Sequence, residues 1–237
     1  SEGEMCGNGI RCLAKFVLER SLVQPSGEEL VIETGAGIIK VLPKWEGGLV
    51  RGAIVDMGSP ILKADDIPVD TTRIGRSAYD ALDRSLSGQT GVKPEEIVFD
   101  APLDVAKRQI IGTAVSMGNP HFVNFGENPP AEFPLEELGP LVETAEAFPN
   151  RVNFHVVFVE SRTRLVTRTW ERGSGQTLAC GTGAAAMVVA ARLHGMVDDA
   201  VHVVVPGGDL LITWPGQGSV TMEGDAVEVF SGEWSES

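Results

Sequence analysis

Apolar residues at Ile10, Leu13, Ala14, Val17 and Leu18 recur at the i, i+3, i+4, i+7, i+8 spacing of a helix with one buried face. Ser21 and the Pro25-Ser26-Gly27 turn predict its end. Short β-type runs follow at Leu30 to Glu33, Ile38 to Leu42 and Leu49 to Met57, separated by Gly35-Ala36-Gly37 and Gly47-Gly48, which predicts a meander of strands. Much later the same order recurs. Ala184 to Leu193 is a run of small and apolar residues that predicts a helix buried on every side. After it come Val201 to Val205, a Gly207-Gly208 turn, Leu210 to Trp214, a Gly216 to Gly218 turn and a last pair of strands toward Phe230. Between the two copies, Val115 to Phe125 and Val152 to Glu160 read as strands. Residues 65 to 108 are polar, with a short helix around Tyr79 to Leu86, a loop at Ser87 to Gly91 and no chemical motif.

Each predicted helix is preceded by the same kind of turn, Cys6-Gly7-Asn8-Gly9 in one case and Cys180-Gly181-Thr182-Gly183 in the other. Gly35 lies 29 residues after Cys6 and Gly207 lies 27 after Cys180, so the chain carries two copies of one unit. Such a repeat predicts two similar lobes facing each other across a pseudo-two-fold axis, each presenting a cysteine at a helix start.

With 237 residues, 43% hydrophobic and 22% charged, the chain can form one large domain or two small ones. The formal charge of −14, with no cluster of Lys and Arg, argues against a nucleic-acid partner. No apolar run has the length of a membrane span, and no basic segment followed by an apolar one opens the chain, so a cytoplasmic protein is expected. Three cysteines make no disulfide framework and are expected as thiols. Cys12, within the first helix, reads as an inert packed thiol. Neither Cys6 nor Cys180 has a second Cys or His at zinc-ligand spacing, so no metal is expected.

A helix start offers unpaired N–H groups and a partial positive charge, which binds a carboxylate and lowers a thiol pKa from its usual value of about 8.5. With two such starts facing each other, an amino-acid carboxylate fits between them with a sulfur on either side of its Cα. One thiolate would remove the α-proton and the opposite thiol would deliver another, inverting the centre. The N–H donors would stabilise the carbanion without a cofactor.

Met5-Cys6-Gly7-Asn8-Gly9-Ile10-Arg11-Cys12 and Ala179-Cys180-Gly181-Thr182-Gly183 resemble the two cysteine signatures of the diaminopimelate epimerases. Ser116-Met117-Gly118-Asn119-Pro120-His121, Arg151-Val152-Asn153 and Trp170-Glu171-Arg172-Gly173 resemble that family's intervening motifs, in its order. The resemblance runs from Glu4 to Phe230-Ser231-Gly232-Glu233-Trp234 and is weak over residues 65 to 108, where the chain looks longer than typical members. It implies an α/β (α+β) fold of two pseudo-symmetric lobes, each a curved, mostly antiparallel sheet wrapped around a central helix. The first lobe would be 1–56 plus 226–237, and the second 57–225.

The resemblance further implies an isomerase that needs no pyridoxal phosphate and no other cofactor. It would interconvert LL- and meso-2,6-diaminopimelate in lysine and cell-wall precursor biosynthesis. Cys6 and Cys180 would be the acid/base pair, tuned by His121 and Glu171. Gly7, Asn8, Gly181 and Thr182 would hold the reacting carboxylate. Asn119, Asn153, Glu171 and Arg172 would bind the distal amino-acid end, the guanidinium taking a carboxylate and the carboxylate and amides taking an ammonium. The partner is then a small amino acid, with no nucleic acid and no membrane, and a homodimer is left open.

Members of the family carry a sizeable stretch before the first cysteine motif, and here five residues precede Cys6. The expectation is an incomplete first lobe and poor activity of the 237-residue chain by itself; turnover like that of a longer form would overturn it. The nearest alternatives are a proline or hydroxyproline racemase, or an inactive fragment of such an enzyme. Proline-type substrates have no second amino-acid end for Asn119, Asn153, Glu171 and Arg172 to bind. A sister isomerase of the phenazine type would lack the cysteine pair. A redox switch or a non-catalytic binding protein would use the same thiols without proton transfer.

Overall fold

A computed structural model describes residues 6–25, 27–35 and 37–233; Ser1, Glu4, Met5, Ser26, Ala36 and Trp234 of the motifs and turns above lie outside the described residues. The chain forms α1 (Gly7–Glu19), then β1 (Leu30–Thr34), β2 (Gly37–Glu46) and β3 (Leu49–Asp56). The middle holds α2 (Arg84–Thr90), β4 (Ala101–Val105), β5 (Arg108–Ser116), β6 (Pro120–Phe125), α3 (Leu135–Glu143), β7 (Asn153–Ser161), β8 (Arg164–Glu171) and β9 (Gly175–Thr177). The second copy of the repeat is α4 (Gly181–Leu193), β10 (Ala200–Val205), β11 (Gly208–Thr213) and β12 (Thr221–Asp225). No helix among the described residues is long and apolar enough to cross a membrane.

The strands of the described residues join in the order β1-β2-β3-β12-β11-β10-β8-β7-β6-β5-β4, with β9 added to β8. Only the β8–β10 and β6–β7 neighbours are parallel; the others are antiparallel. This curved, mixed sheet carries α1 against β2, β3 and β12, and α4 against β5, β6, β7, β10, β11 and β12. The expected α/β plan of curved sheet around two helices is observed, with the strands of both copies joined in one sheet. β12 is the join: it pairs with β11 on one side and with β3 on the other.

The two helices differ as their sequences do. From Thr182 to Leu193, α4 is buried at every residue except Arg192, and its small Gly, Ala and Val residues let strands approach from several directions. In α1 the buried face is Ile10, Arg11, Ala14, Lys15 and Leu18, while Leu13 and Phe16 are exposed. Cys12 is exposed too, not packed as expected. It lies two residues from both Ile10 and Ala14, which places it on the opposite side of a helix from the buried face. A polar clamp seats α1 on the sheet: the Lys15 ammonium donates to Glu19 and to the Val50 carbonyl, both at 2.7 Å, and the Val50 N–H donates to Glu19 at 2.7 Å.

Three sequence expectations shift. The short helix is α2, five residues later than expected at its start, and it takes in most of the expected Ser87 to Gly91 loop. Asp83 caps it by accepting from the Ser85 N–H at 3.0 Å, and Gly91, with φ of 71°, ends it in the left-handed region. The run from Val115 to Phe125 is two strands, because Gly118 turns the chain at φ of 93° between β5 and β6. Toward Phe230 there is one strand, β12, instead of a pair; Val227, Val229 and Phe230 are exposed beyond it.

The join at β12 leaves no room for a side chain. A Cβ at Gly52 would lie 2.6 Å from the Gly224 carbonyl oxygen across the β3–β12 pair. Gly52→Ala is expected to destabilise the protein by about 1–3 kcal/mol, read as a lower urea midpoint with an unchanged m-value; an unchanged midpoint would count against this close approach.

Candidate active site

Cys6 and Cys180 are the residues immediately before α1 and α4, with nearly the same backbone: φ −127° and ψ 96° at Cys6, φ −129° and ψ 108° at Cys180. Both are extended caps whose carbonyls accept the first helical bond, from Ile10 and Ala184, each at 2.9 Å. The N–H groups just after each cysteine have no partner within the helix and point outward. The two starts abut. A Cβ at Gly181 would lie 3.7 Å from the Gly7 Cα and 3.1 Å from the Met222 Sδ, and one at Gly7 would lie 2.4 Å from the Met222 Cε. A side chain at either position would press on Met222, so the repeat inferred from spacing has a physical meeting point, floored by Met222 of β12.

A cleft of about 590 Å³ opens over this meeting point, and Cys6, Gly7, Asn8, Asn119, Asn153, Glu171, Arg172, Cys180, Gly181 and Thr182 all line it. Of the residues singled out from the sequence, only His121 is absent from the wall. It is buried behind Asn119, with both ring nitrogens occupied, so it reaches the cleft through that amide. Ser59, Ser174 and Ser219 also line the cleft. No motif or spacing marks these hydroxyls.

The two thiols have unlike surroundings. Cys6 is exposed and accepts from the Gly9 N–H at 3.3 Å. Cys180 is 6% exposed and sits 3.7 Å from the Thr182 hydroxyl. Burial first, and then the Glu171 carboxylate, push the Cys180 thiol up to about 12, against the opposing pull of the Thr182 hydroxyl and the Gly183 N–H. The helix start was expected to lower the pKa of both thiols. At Cys180 desolvation and a neighbouring negative charge outweigh it.

Behind the wall, buried polar groups fix the amides and the loop that face the cleft. Arg11, one turn into α1, donates from Nη1 to Asn8 Oδ1 at 3.1 Å and to the Gly7 carbonyl at 3.4 Å, and from Nε to the Asp225 carbonyl at 3.3 Å. It ties the first cysteine turn to β12 and leaves the Asn8 amide nitrogen for the cleft; burial lowers its pKa. Asn153 is committed at both ends, donating to the Pro120 carbonyl at 3.0 Å and accepting from the Arg172 N–H at 2.9 Å. Glu143 accepts from Trp170 Nε1 at 2.8 Å and from the Gly173 N–H at 2.9 Å, and pairs with Arg151 at 3.3 Å, so α3 holds the turn that carries Glu171 and Arg172. The Arg172 Nη1 donates to the Asn150 carbonyl at 3.1 Å. Arg11, Glu143 and His155, which pairs with His121, were not singled out from the sequence.

A sequence model of the diaminopimelate epimerase family matches residues 113–229. The chain is 41% identical over 234 residues to the diaminopimelate epimerase of Leptospira biflexa serovar Patoc, covering 98% of this chain and 75% of that protein. It belongs to the diaminopimelate epimerase family. The Carboxydothermus hydrogenoformans member is 44% identical over 235 residues, covering 99% of this chain and 74% of that protein. These alignments run through residues 65 to 108, where the motif resemblance is weak. Among solved structures, a hydroxyproline epimerase from Agrobacterium vitis with bound trans-4-hydroxy-L-proline superposes with a TM-score of 0.61 at 15% identity, over 94% of this chain and 64% of that one. A Bacillus anthracis phenazine biosynthesis protein of the PhzF family superposes with a TM-score of 0.56 at 16% identity, over 95% of this chain and 75% of that one. At such identities these two share the fold alone.

Two outcomes are expected. Alkylation by iodoacetamide at pH 7.5, mapped by peptide mass spectrometry, should modify Cys180 on the order of 100-fold more slowly than Cys6 or Cys12, and Glu171→Gln should speed it by removing a negative charge; equal rates at the three thiols would contradict the burial. His155 and His194 are held neutral, with pKa values lowered to about 3 and about 4, and His121 is also lowered well below the usual range, in each case first by burial. The unfolded chain therefore binds more protons than the folded one below the ordinary histidine pKa of about 6.5. Stability to urea should fall steadily from about pH 6.5 toward pH 4; a flat profile there would mean that these imidazoles are not buried neutral.

Proposed function

We propose that the chain is a pyridoxal-phosphate-independent epimerase that interconverts LL- and meso-2,6-diaminopimelate in the cytoplasm, on the route to lysine and cell-wall precursors. The observation that carries this reading is the abutment of two cysteine-capped helix starts at the floor of one cleft. A carboxylate placed there meets N–H groups from both helices, each adding partial positive charge. The Cα attached to that carboxylate then lies between the two sulfurs.

As the α-proton leaves, negative charge moves onto the carboxylate oxygens, where donors from the Asn8 and Thr182 turns are already aimed. Donors fixed in place before the reaction stabilise the carbanion without reorganising. Cys180, with its pKa pushed up to about 12, rests as the thiol at neutral pH and is the ready proton donor. For substrate of one configuration Cys6 is the base and Cys180 the acid; for the other configuration the roles reverse, and the high pKa of Cys180 makes its thiolate the stronger base. Further along the cleft, the Arg172 guanidinium and the Asn119 amide take the distal carboxylate and Glu171 the distal ammonium, while Asn153 holds the Arg172 backbone in place. That second charged end favours diaminopimelate over proline-type substrates.

Incubation with LL-diaminopimelate in deuterated water, without added pyridoxal phosphate, should yield meso product carrying α-deuterium. Cys6→Ala and Cys180→Ala should each lower this epimerisation by at least about 100-fold, the scale of a lost general acid or base. Exchange that survives the double substitution would sink the two-thiol mechanism. Arg172→Ala should raise KM by roughly 10–100-fold, the cost of a lost charge-assisted pair; an unchanged KM would remove Arg172 from the substrate's distal end.

A further inference from the structure

A row of buried hydrogen bonds runs from β8 to the cleft. Thr169 Oγ1 lies 2.9 Å from His155 Nδ1, His155 Nε2 lies 2.8 Å from His121 Nδ1, and His121 Nε2 lies 2.9 Å from Asn119 Oδ1. Thr169, His155 and His121 are buried, and Asn119 is half-buried at the cleft wall. His155 also packs beside the second thiol: a Cβ at Gly183 would lie 2.4 Å from its Cε1 and 3.1 Å from Cys180 Sγ. The Asn119 to Arg172 motifs account for His121 and leave His155 and Thr169 without a role.

The direction of this row follows from its far end. Among the described residues, the Thr169 hydroxyl has one side-chain hydrogen-bond partner, His155 Nδ1. A buried hydroxyl without an acceptor is costly, so Thr169 donates to Nδ1. A neutral His155 then carries its proton on Nε2 and donates to His121 Nδ1. His121 likewise carries its proton on Nε2 and donates to Asn119 Oδ1. Burial supports the neutral state of both rings. A row running the other way would turn the Asn119 amide over, presenting its oxygen to the cleft, and would leave the Thr169 proton unpartnered.

We propose that His155 is a positioning residue: through His121 it commits the Asn119 oxygen to the protein and leaves the Asn119 amide hydrogens facing the cleft as donors to a substrate carboxylate. This role rests on the reading of the cleft as a diaminopimelate site. An amide held in one orientation discriminates for an acceptor at that point, whereas a freely rotating one accepts an ammonium as readily.

Nitrogen-15 NMR of the histidine rings in the free protein at pH 7.5 should find His121 and His155 neutral and protonated on Nε2. His155→Phe, which keeps the ring shape and removes both hydrogen bonds, should release the His121 tautomer and raise KM about tenfold with kcat within about threefold, the pattern of a lost ground-state contact. His155→Gln should restore KM, because its amide can donate to His121 and accept from Thr169. If His155→Phe does not fold, Thr169→Val, which has nearly the same volume, should give a mixture of tautomers at His155. An imidazolium or an Nδ1-protonated ring in the wild type, tautomers unmoved by Thr169→Val, or an unchanged KM in folded His155→Phe would each overturn the role. The tautomers are read without substrate, so a wild-type protein that shows no Cα exchange sinks the epimerase reading and leaves the tautomer result standing.

Discussion

The rest of the structure depends on the contact between Gly7 and Gly181 above Met222. Two helix N-termini are like partial charges of roughly half a proton each, and they do not approach each other unaided. What holds them together is the continuous β3–β12–β11 stretch of sheet beneath, which carries α1 and α4 on its surface. Apolar packing around the almost wholly buried α4, and the Lys15–Glu19–Val50 clamp under α1, bear the electrostatic cost. The result is a concentrated positive field in a cleft, set before any ligand arrives. That field suits a planar anion whose charge grows during a reaction.

On this symmetric frame the two thiols are made unequal by their neighbours. The backbone at the two caps is nearly superposable, yet one sulfur faces solvent and the other is closed in by Glu171, Thr182 and His155. A reaction that passes a proton in on one face and out on the other needs one filled and one empty proton site at any moment. Burial of a single thiol breaks the degeneracy without moving the chain.

What the sequence made legible was whatever is encoded locally. The apolar spacing of α1, the small-residue run of α4 and the strands up to Asp56 follow from periodicity. The paired Cys-Gly turns were visible because the same short motif stood twice before a helix. Helix α2 begins later than the sequence pattern predicts although Asp83 and Gly91 bracket it, because its interior has little apolar periodicity. Cys12 departs from its expected packing because a thiol in an amphipathic helix reads as packed until the buried face is fixed to within one residue. Arg11, Glu143, His155 and Thr169 are illegible in the sequence for a different reason. The partners that tie them to the rest of the fold lie far away in the chain, Arg11 reaching Asp225 and Glu143 reaching Trp170 and Gly173, so no local pattern announces them. An isolated histidine inside the strand Asn153-Phe154-His155-Val156 gives no sign that its neighbour across the ladder is Val123 while its ring meets His121.

The suspension of the Glu171–Arg172 turn from α3 through Glu143 has a further consequence. The cysteines belong to α1 and α4, whereas this turn is hung on a separate helix, α3, packed against β7, β8 and β9. Changes in α3, or in the turn at positions other than Glu171, can therefore reshape what the Arg172 side of the cleft accepts while the two sulfurs keep their surroundings. A scaffold divided in this way can drift toward new amino acids without first losing its ability to move a proton.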